Sequence, residues 1–519
     1  MRYLLTIMIT LASIGNLMAG PGIDLTFCRA QWSFSPDKVY ISGKVLFNFK
    51  STAEPISSID FDLSNHLRVD KVMYHNTAVP FKHKANQLVI TLPGSITAGV
   101  VDSIEIEYSG KPVASSFGSI GFDKTDRIAW TLSEPYGARD WWPCRQNLLD
   151  KIDSMDIYVT CPAAYKVAAN GLLQGYTEAG DQHTAHYQVR HPINYYTVGL
   201  AVGQYDFTEG AAVMANGDRI GIVDYYYQSM NYNMKNSRHI ANFLNFFSDY
   251  WCTYPFADEK YGQAFIKGTV SFESQTMSVM SQSDIGTMAH ELAHQWFGNY
   301  VTCKGWQNVW INEAFATFAE LLMIEKFYSD LTIGWKDYTI NSALTAKRAI
   351  FAADTTNPSI LFDVPTTYSK SAITLLMLRS EIGADAFQKG TRAILEKFGN
   401  GFATIDDARQ CFEAAADTSL ADFFNRWIHG IGYPIYKIIS DQKGADNVTI
   451  TIKQTTSHPS VKFYPLHVTV RLIGGDNEKD VRLYNTEPVQ QFVVPVGFKI
   501  ENVIFDPERE ILCKWSYKR

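Results

Sequence analysis

Two histidines four residues apart with a glutamate between them, His290-Glu291-Leu292-Ala293-His294, carry the most legible chemistry in this chain. On a helix, positions i and i+4 share a face, so the two imidazoles can grip one ion. Glu291 then lies where it can take a proton from a water polarised by that ion, the work of a general base. The neighbours Ile285, Met288, Leu292, Trp296 and Phe297 are apolar. Two imidazoles and a carboxylate inside such a helix would be costly without a partner. A catalytic zinc needs a third protein ligand and an open fourth position. Glu313, 19 positions after His294, is the candidate, at the head of a second helical stretch from Asn312 to Tyr328. Two packed helices joined by a loop would bring its carboxylate to the ion. Two imidazoles and a carboxylate form the ligand set of hydrolytic zinc sites rather than of electron transfer. Thr317 and Glu320 follow on the same helical face, and Glu320 is a candidate partner to orient a ligand histidine.

The elements that must position these residues read in three blocks after an N-terminal address. Arg2 followed by an apolar run from Leu4 to Ile14, with Leu17-Met18-Ala19 behind it, reads as a secretory signal peptide over residues 1–19. The run is shorter than the ~20 residues that span a bilayer. The expectation is an exported chain, periplasmic or extracellular, with no membrane span after signal removal. Residues 20–205 read as an antiparallel β domain, with Lys44–Phe49, Leu88–Leu92, Asp102–Tyr108 and Asp156–Thr160 as strands. Residues 206–434 read as a mainly helical catalytic domain. Its helical stretches fall at 235–251, 284–298, 312–328, 338–352, 370–382, 385–398 and 404–415, with the trend continuing to His429 and stopped by Gly430, Gly432 and Pro434. Residues 435–519 return to strands and suit a small β-sandwich.

Composition narrows the function classes. The 519 residues are 46% hydrophobic and 19% charged, an ordinary globular balance. The formal charge of −7 argues against nucleic acid as a partner. The seven cysteines stand singly, so a cysteine zinc knuckle and a disulfide-stapled mini-fold are excluded; one or two disulfides stay open.

The run from His290 through Gln295-Trp296-Phe297-Gly298-Asn299, then Val301-Thr302, then Trp310-Ile311-Asn312-Glu313-Ala314-Phe315-Ala316, resembles the zinc aminopeptidases of the aminopeptidase N type, gluzincins whose family includes leukotriene hydrolase. Glu134, Ala138-Arg139 and Trp142-Pro143-Cys144 resemble the family's N-terminal signature. Tyr368-Ser369-Lys370 resembles its Tyr-x-Lys-Gly segment with Ser371 in place of the glycine, and Phe423–Pro434 resembles the end of its catalytic domain. The resemblance spans roughly residues 40 to 435. It implies a multidomain α+β fold: an N-terminal antiparallel β saddle, a thermolysin-like catalytic domain and a C-terminal β-sandwich.

Carried over position by position, the resemblance makes His290, His294 and Glu313 the ligands of one zinc ion and Glu291 the general base. Tyr368 becomes the hydrogen-bond donor to the oxyanion of the tetrahedral intermediate. The family's Gly-x-Met-Glu-Asn strand corresponds to Val270-Ser271-Phe272-Glu273-Ser274. Glu273 and Glu134 would bind the α-ammonium of a peptide with a free N-terminus, with Ser271 beside them among the substrate-binding residues. Val270 adds bulk where the family has glycine, so the first side-chain pocket is expected to be reshaped. The implied activity is release of N-terminal residues from peptides. An endopeptidase or epoxide hydrolase on the same site, or a peptide-binding protein without turnover, are the competing expectations. Glu134 and Glu273 argue against the first; the intact set of His290, Glu291, His294, Glu313 and Tyr368 argues against the second. Preferred N-terminal residue and oligomeric state stay open.

Overall fold

The protein is described by a computed structural model covering residues 22–52, 55–215, 217–230, 234–444 and 446–518. The expected signal peptide lies outside the described residues. Among the described residues no helix is long and apolar enough to cross a membrane.

An eight-stranded sheet opens the chain, in the spatial order Leu172–Ala179, Gln182–Val189, Met155–Pro162, Ile23–Phe34, Ile41–Ser51, Val101–Gly110, Leu67–Tyr74, Thr77–Ala78. Period-two alternation drives it. Along Ile41–Ser51, Val45, Phe47 and Phe49 are buried while Lys44 and Lys50 face water. The sheet is antiparallel except where Ile23–Phe34 runs parallel to Met155–Pro162. That pairing was not legible locally, because a parallel partner needs a long crossover. Trp32 meets Trp141 and Trp142 edge-on at 4.8 and 5.8 Å between ring centroids. Asp62 and Cys144 exchange backbone hydrogen bonds of 2.7 and 3.1 Å. These contacts pin the loop after Thr131, which carries Glu134, against the sheet.

A mixed sheet of Tyr205–Val213, Arg219–Tyr227, Tyr261–Phe265 and Met277–Met280 introduces the helical part, so strands continue past residue 206 before helices take over. Helix α1 (Met234–Tyr250) is the crossover between its parallel members. Then follow α2 (Ile285–Ala293), α3 (Trp310–Phe327), α4 (Thr332–Ala343), α5 (Pro358–Leu361), α6 (Ser371–Ile382), α7 (Ala384–Phe398), α8 (Ile405–Ala416) and α9 (Ala421–Phe424). Three stretches are shorter than their apolar spacing suggests. Helix α2 stops at Ala293, and the chain then runs through turns that include Gly298, whose φ is 132°. The 338–352 pattern ends at Ala343, and Ile350 is buried from a loop rather than a helix. After Asp417 only α9 and a wide π turn at Asn425–His429 remain.

The C-terminal part pairs a four-stranded sheet with a three-stranded one, and Tyr436 of the first lies 4.7 Å from Phe505 of the second between ring centroids. All seven cysteines are free thiols, so neither of the disulfides left open by the sequence is present.

Under the α2–α3 pair, Phe315 stacks on Phe297 at 4.2 Å, with Trp310 5.4 Å away. Phe315→Ala should cost about 3–5 kcal/mol, read as a lower urea midpoint at unchanged slope. A loss below about 1 kcal/mol would show that this stack does not hold the two helices together.

Candidate metal centre and active site

Helix α2 is started by Asp284, whose side chain accepts the Thr287 amide at 2.9 Å. It presents His290 and, one residue past its end, His294. Helix α3 brings Glu313 to them in its first turn, where the helix dipole favours a carboxylate. One oxygen, Glu313 Oε2, lies 3.4 Å from His290 Nε2 and 3.6 Å from His294 Nε2. The far nitrogens are already engaged. His290 Nδ1 is 3.0 Å from Glu320 Oε1, and His294 Nδ1 is 3.0 Å from the Phe297 carbonyl. Those acceptors fix the ring orientation and turn both Nε2 atoms toward Glu313. Trp335 of α4 donates to the other Glu320 oxygen at 3.1 Å, so a third helix holds the holder.

Residues present fit a divalent ion. Glu313 Oε2 is buried with no hydrogen-bond donor, and two imidazole nitrogens converge on it. Burial opposes charge on Glu313, yet His294 and His290 hold its carboxyl down at about 2. His294 is correspondingly pushed up to about 9 by Glu273 and Glu313, against the opposing effect of burial. Protons thus sit where a cation would supply the same charge.

Around this centre lie more buried acids. Glu291 Oε2, Glu273 Oε1 and Glu134 Oε1 are buried without hydrogen-bond partners. Carboxylate oxygens of Glu134, Glu273 and Glu313 lie within 4.8 Å of one another, and so do ligand atoms of Glu273, Glu291 and His294. Burial, against the pull of His290 and His294, raises Glu291 to about 8. Burial and then the charges of Glu273, Glu313 and Glu291 push Glu134 well above the carboxylate range. Tyr368 sits on a wide π turn over Val364–Lys370, its ring centroid 5.9 Å from that of His290. Burial and the surrounding carboxylates raise its phenol well above its ordinary value, so it stays a donor. Ser371, standing where the family has glycine, donates to the Thr366 carbonyl at 3.0 Å and closes that turn.

The Val270–Ser274 segment is not a strand. It makes a single bridge, Phe272 to Val279. Phe272 exchanges backbone hydrogen bonds of 2.8 Å with Val279, Glu273 O accepts from Asn299 at 2.9 Å, and the carbonyl of Gln275 just beyond accepts from Asn170 at 2.6 Å. Gln295 accepts the Thr276 amide at 2.8 Å. Buried Lys260 donates to the Thr276 carbonyl at 3.1 Å, and buried Lys151 donates to the Asn299 carbonyl at 2.8 Å. The Ser271 hydroxyl is 3.1 Å from that of Ser281 and accepts the Ser281 amide at 3.0 Å, so it braces the segment. Val270 is 39% exposed and fills no core position. Sequence reasoning passed over Asn170, Lys151, Lys260 and Tyr196. Tyr196 donates to the Gly298 carbonyl and accepts from Asn312, each at 3.0 Å. No local pattern marks these residues.

Comparison with known proteins follows the same lines. Residues 222–427 match the family profile described as Peptidase family M1 domain. Aminopeptidase M1-C of Oryza sativa subsp. japonica is 27% identical over 61% of this chain and 38% of its own length. A probable aminopeptidase 2 of Sulfurisphaera tokodaii is 26% identical over 71% of this chain and 49% of its own. The chain thus spans less than half the length of these curated relatives. A crystal structure of an M1 zinc metallopeptidase mutant from Deinococcus radiodurans, bound to a Tyr-Ser-Ala substrate, superposes with a TM-score of 0.70 at 25% identity. It covers 79% of this chain and 94% of that one.

If Glu320 orients His290, Glu320→Gln should weaken zinc retention about 10–100-fold, measured by competition with a chromogenic chelator. Unchanged retention would remove Glu320 from the metal centre.

Proposed function

Because the chain belongs to the aminopeptidase N family of zinc metallopeptidases, we propose that it is a zinc-dependent aminopeptidase that releases single residues from the free N-terminus of peptides. One observation carries this reading: buried, unpartnered oxygens of Glu134 and Glu273 stand beside the His290–His294–Glu313 set. A buried pair of acids next to a metal centre is a receptor for a cation at fixed distance from the reacting atoms, and an α-ammonium is such a cation.

His290, His294 and Glu313 would hold the zinc. When bound, the ion supplies Lewis acidity, lowering the pKa of the attacking water and offsetting charge on the carbonyl oxygen. Glu291 takes the water's proton as it attacks and delivers it to the departing amine. Its raised affinity for a proton suits that shuttle. Tyr368, held protonated, donates to the oxyanion of the tetrahedral intermediate. Glu134 and Glu273 fix the ammonium, so the first peptide bond alone reaches Glu291. The Tyr-Ser-Ala peptide bound by the Deinococcus enzyme supports a short peptide as the substrate class. The N-terminal apolar run supports export, to the periplasm or the extracellular space.

Matched aminoacyl fluorogenic amides, free or acetylated at the α-amine, test this directly. Cleavage should be confined to the free amines and abolished by chelator. Cleavage of both sets would make the protein a metallohydrolase without an amine requirement. Cleavage of neither, in protein carrying one zinc, would make it a binding protein. Within the mechanism, Tyr368→Phe should lower kcat by about 10²–10³ with zinc content unchanged, whereas a wild-type kcat would exclude Tyr368 from oxyanion binding.

A further inference from the structure

An oxyanion donor works only where its oxygen is placed to within a fraction of an ångström, so whatever fixes Tyr368 matters to the reaction. Tyr368 rides on the wide π turn over Val364–Lys370, an uncommon conformation that favours functional sites. The contacts that fix this turn fall on the neighbours of Tyr368. After it, Ser369 donates to the Ser342 hydroxyl at 2.8 Å and Lys370 to the Gly430 carbonyl at 3.0 Å. Before it, the anchor is one guanidinium.

Arg348 lies in the loop between α4 and α5. Its Nε is 2.6 Å from Asp363 Oδ1, and its Nη2 donates to the Thr367 hydroxyl oxygen. Thr367 passes its own proton on to the Leu361 carbonyl at 2.6 Å. Asp363 starts the turn: its other carboxylate oxygen accepts the Thr366 amide at 3.0 Å, and its carbonyl accepts the Thr367 amide at 2.9 Å. Arg348 thus grips the residue that opens the turn and the residue directly before Tyr368. A planar fork can hold two partners at once in this way, whereas a lysine ammonium would act as a single point. The last nitrogen, Nη1, donates to the Ala349 and Ile350 carbonyls at 3.0 and 3.4 Å, which binds the guanidinium to its own loop.

That loop is fastened to the other working parts. The Ala352 amide donates at 3.3 Å to the carbonyl of Gln307, just ahead of the helix that carries Glu313. Tyr136, two positions after Glu134, donates to the Thr355 carbonyl at 2.8 Å. One loop therefore touches the approach to a metal ligand, the strap that carries Glu134 and, through Arg348, the turn that carries Tyr368.

We propose that Arg348 is a positioning residue for the oxyanion donor: it ties the Tyr368 turn to this loop and so sets where the phenol stands relative to the metal centre. The tether stands on the hydrogen bonds; its effect on turnover rests on the aminopeptidase reading. Arg348 acts through Tyr368 alone, so its worth to the reaction vanishes once the phenol is gone.

A double-mutant cycle with a free-amine amide as substrate tests this. Arg348→Met should lower kcat about 10–100-fold, with KM and zinc content unchanged. In the Tyr368→Phe background the same change should have no further effect on kcat. If Arg348→Met lacks a cooperative unfolding transition, Arg348→Lys, which keeps the charge and loses the fork, takes its place in the cycle. An unchanged kcat, a rise in KM at constant kcat, or an equal loss of kcat with and without the Tyr368 hydroxyl overturns the proposal. Amide hydrogen exchange reads the tether without turnover. In the Arg348 variant the Val364–Lys370 amides should exchange about tenfold or more faster while those of α2 and α3 keep their wild-type rates; unchanged exchange over the turn overturns the tether. Faster exchange confined to the turn, in protein whose wild type cleaves no amide, leaves the tether standing and overturns the aminopeptidase reading instead.

Discussion

Like charge confined in a small buried volume is the constraint on which the rest of this structure depends. Four carboxylates crowd around two imidazoles, and several of their oxygens have no hydrogen-bond donor. Such a cluster repels itself unless cations enter or protons remain. The fold does not relieve it with arginine or lysine on the unpartnered oxygens of Glu134 and Glu273. The nearby buried lysines, Lys151 and Lys260, direct their ammoniums to backbone carbonyls instead, where burial lowers both to about 7. The acid cluster is therefore left open for visitors, and its shape is kept by a rigid surround.

That surround is built from backbone geometry more than from side-chain pairing. Helices α2 and α3 fix the metal end, with Glu320 and Trp335 behind His290. The Glu273 end is an irregular segment held in part by side chains, Asn299 on the Glu273 carbonyl and Asn170 on that of Gln275. Thr276 takes the left-handed conformation, with φ of 60°, and is held at its amide by Gln295 and at its carbonyl by Lys260.

How legible this was in the sequence depends on range. The metal end was readable because helical spacing is local: His290 and His294 at i and i+4, Glu320 seven positions after Glu313. The three-part division was readable from the change of apolar period. The parallel pairing of Ile23–Phe34 with Met155–Pro162 was not, nor was the early end of α2 at Ala293. Resemblance supplied Tyr368, Glu134 and Glu273, whose residue types alone point nowhere. Asn170, Lys151 and Tyr196 act across 105, 148 and 102 positions of chain, a separation at which single-sequence patterns carry no signal.

The contacts on Gln275 and Asn299 have a consequence for what counts as the working unit. The family-matched stretch, residues 222–427, contains His290, Glu291, His294, Glu313, Tyr368 and Glu273. It does not contain Glu134, nor Asn170, which donates to the Gln275 carbonyl, nor Lys151 and Tyr196, which donate to the Asn299 and Gly298 carbonyls. The metal ligands and the full set proposed for the amine thus do not fall within one stretch of the chain. The residues that can hold an ion sit on the helices, whereas the proposed amine receptor draws Glu134 from the β part and Glu273 from the helical part. Under the aminopeptidase reading, a change in the N-terminal strands would retune selectivity while the metal motif stays intact, and the motif by itself does not say which end of a peptide such a protein reads.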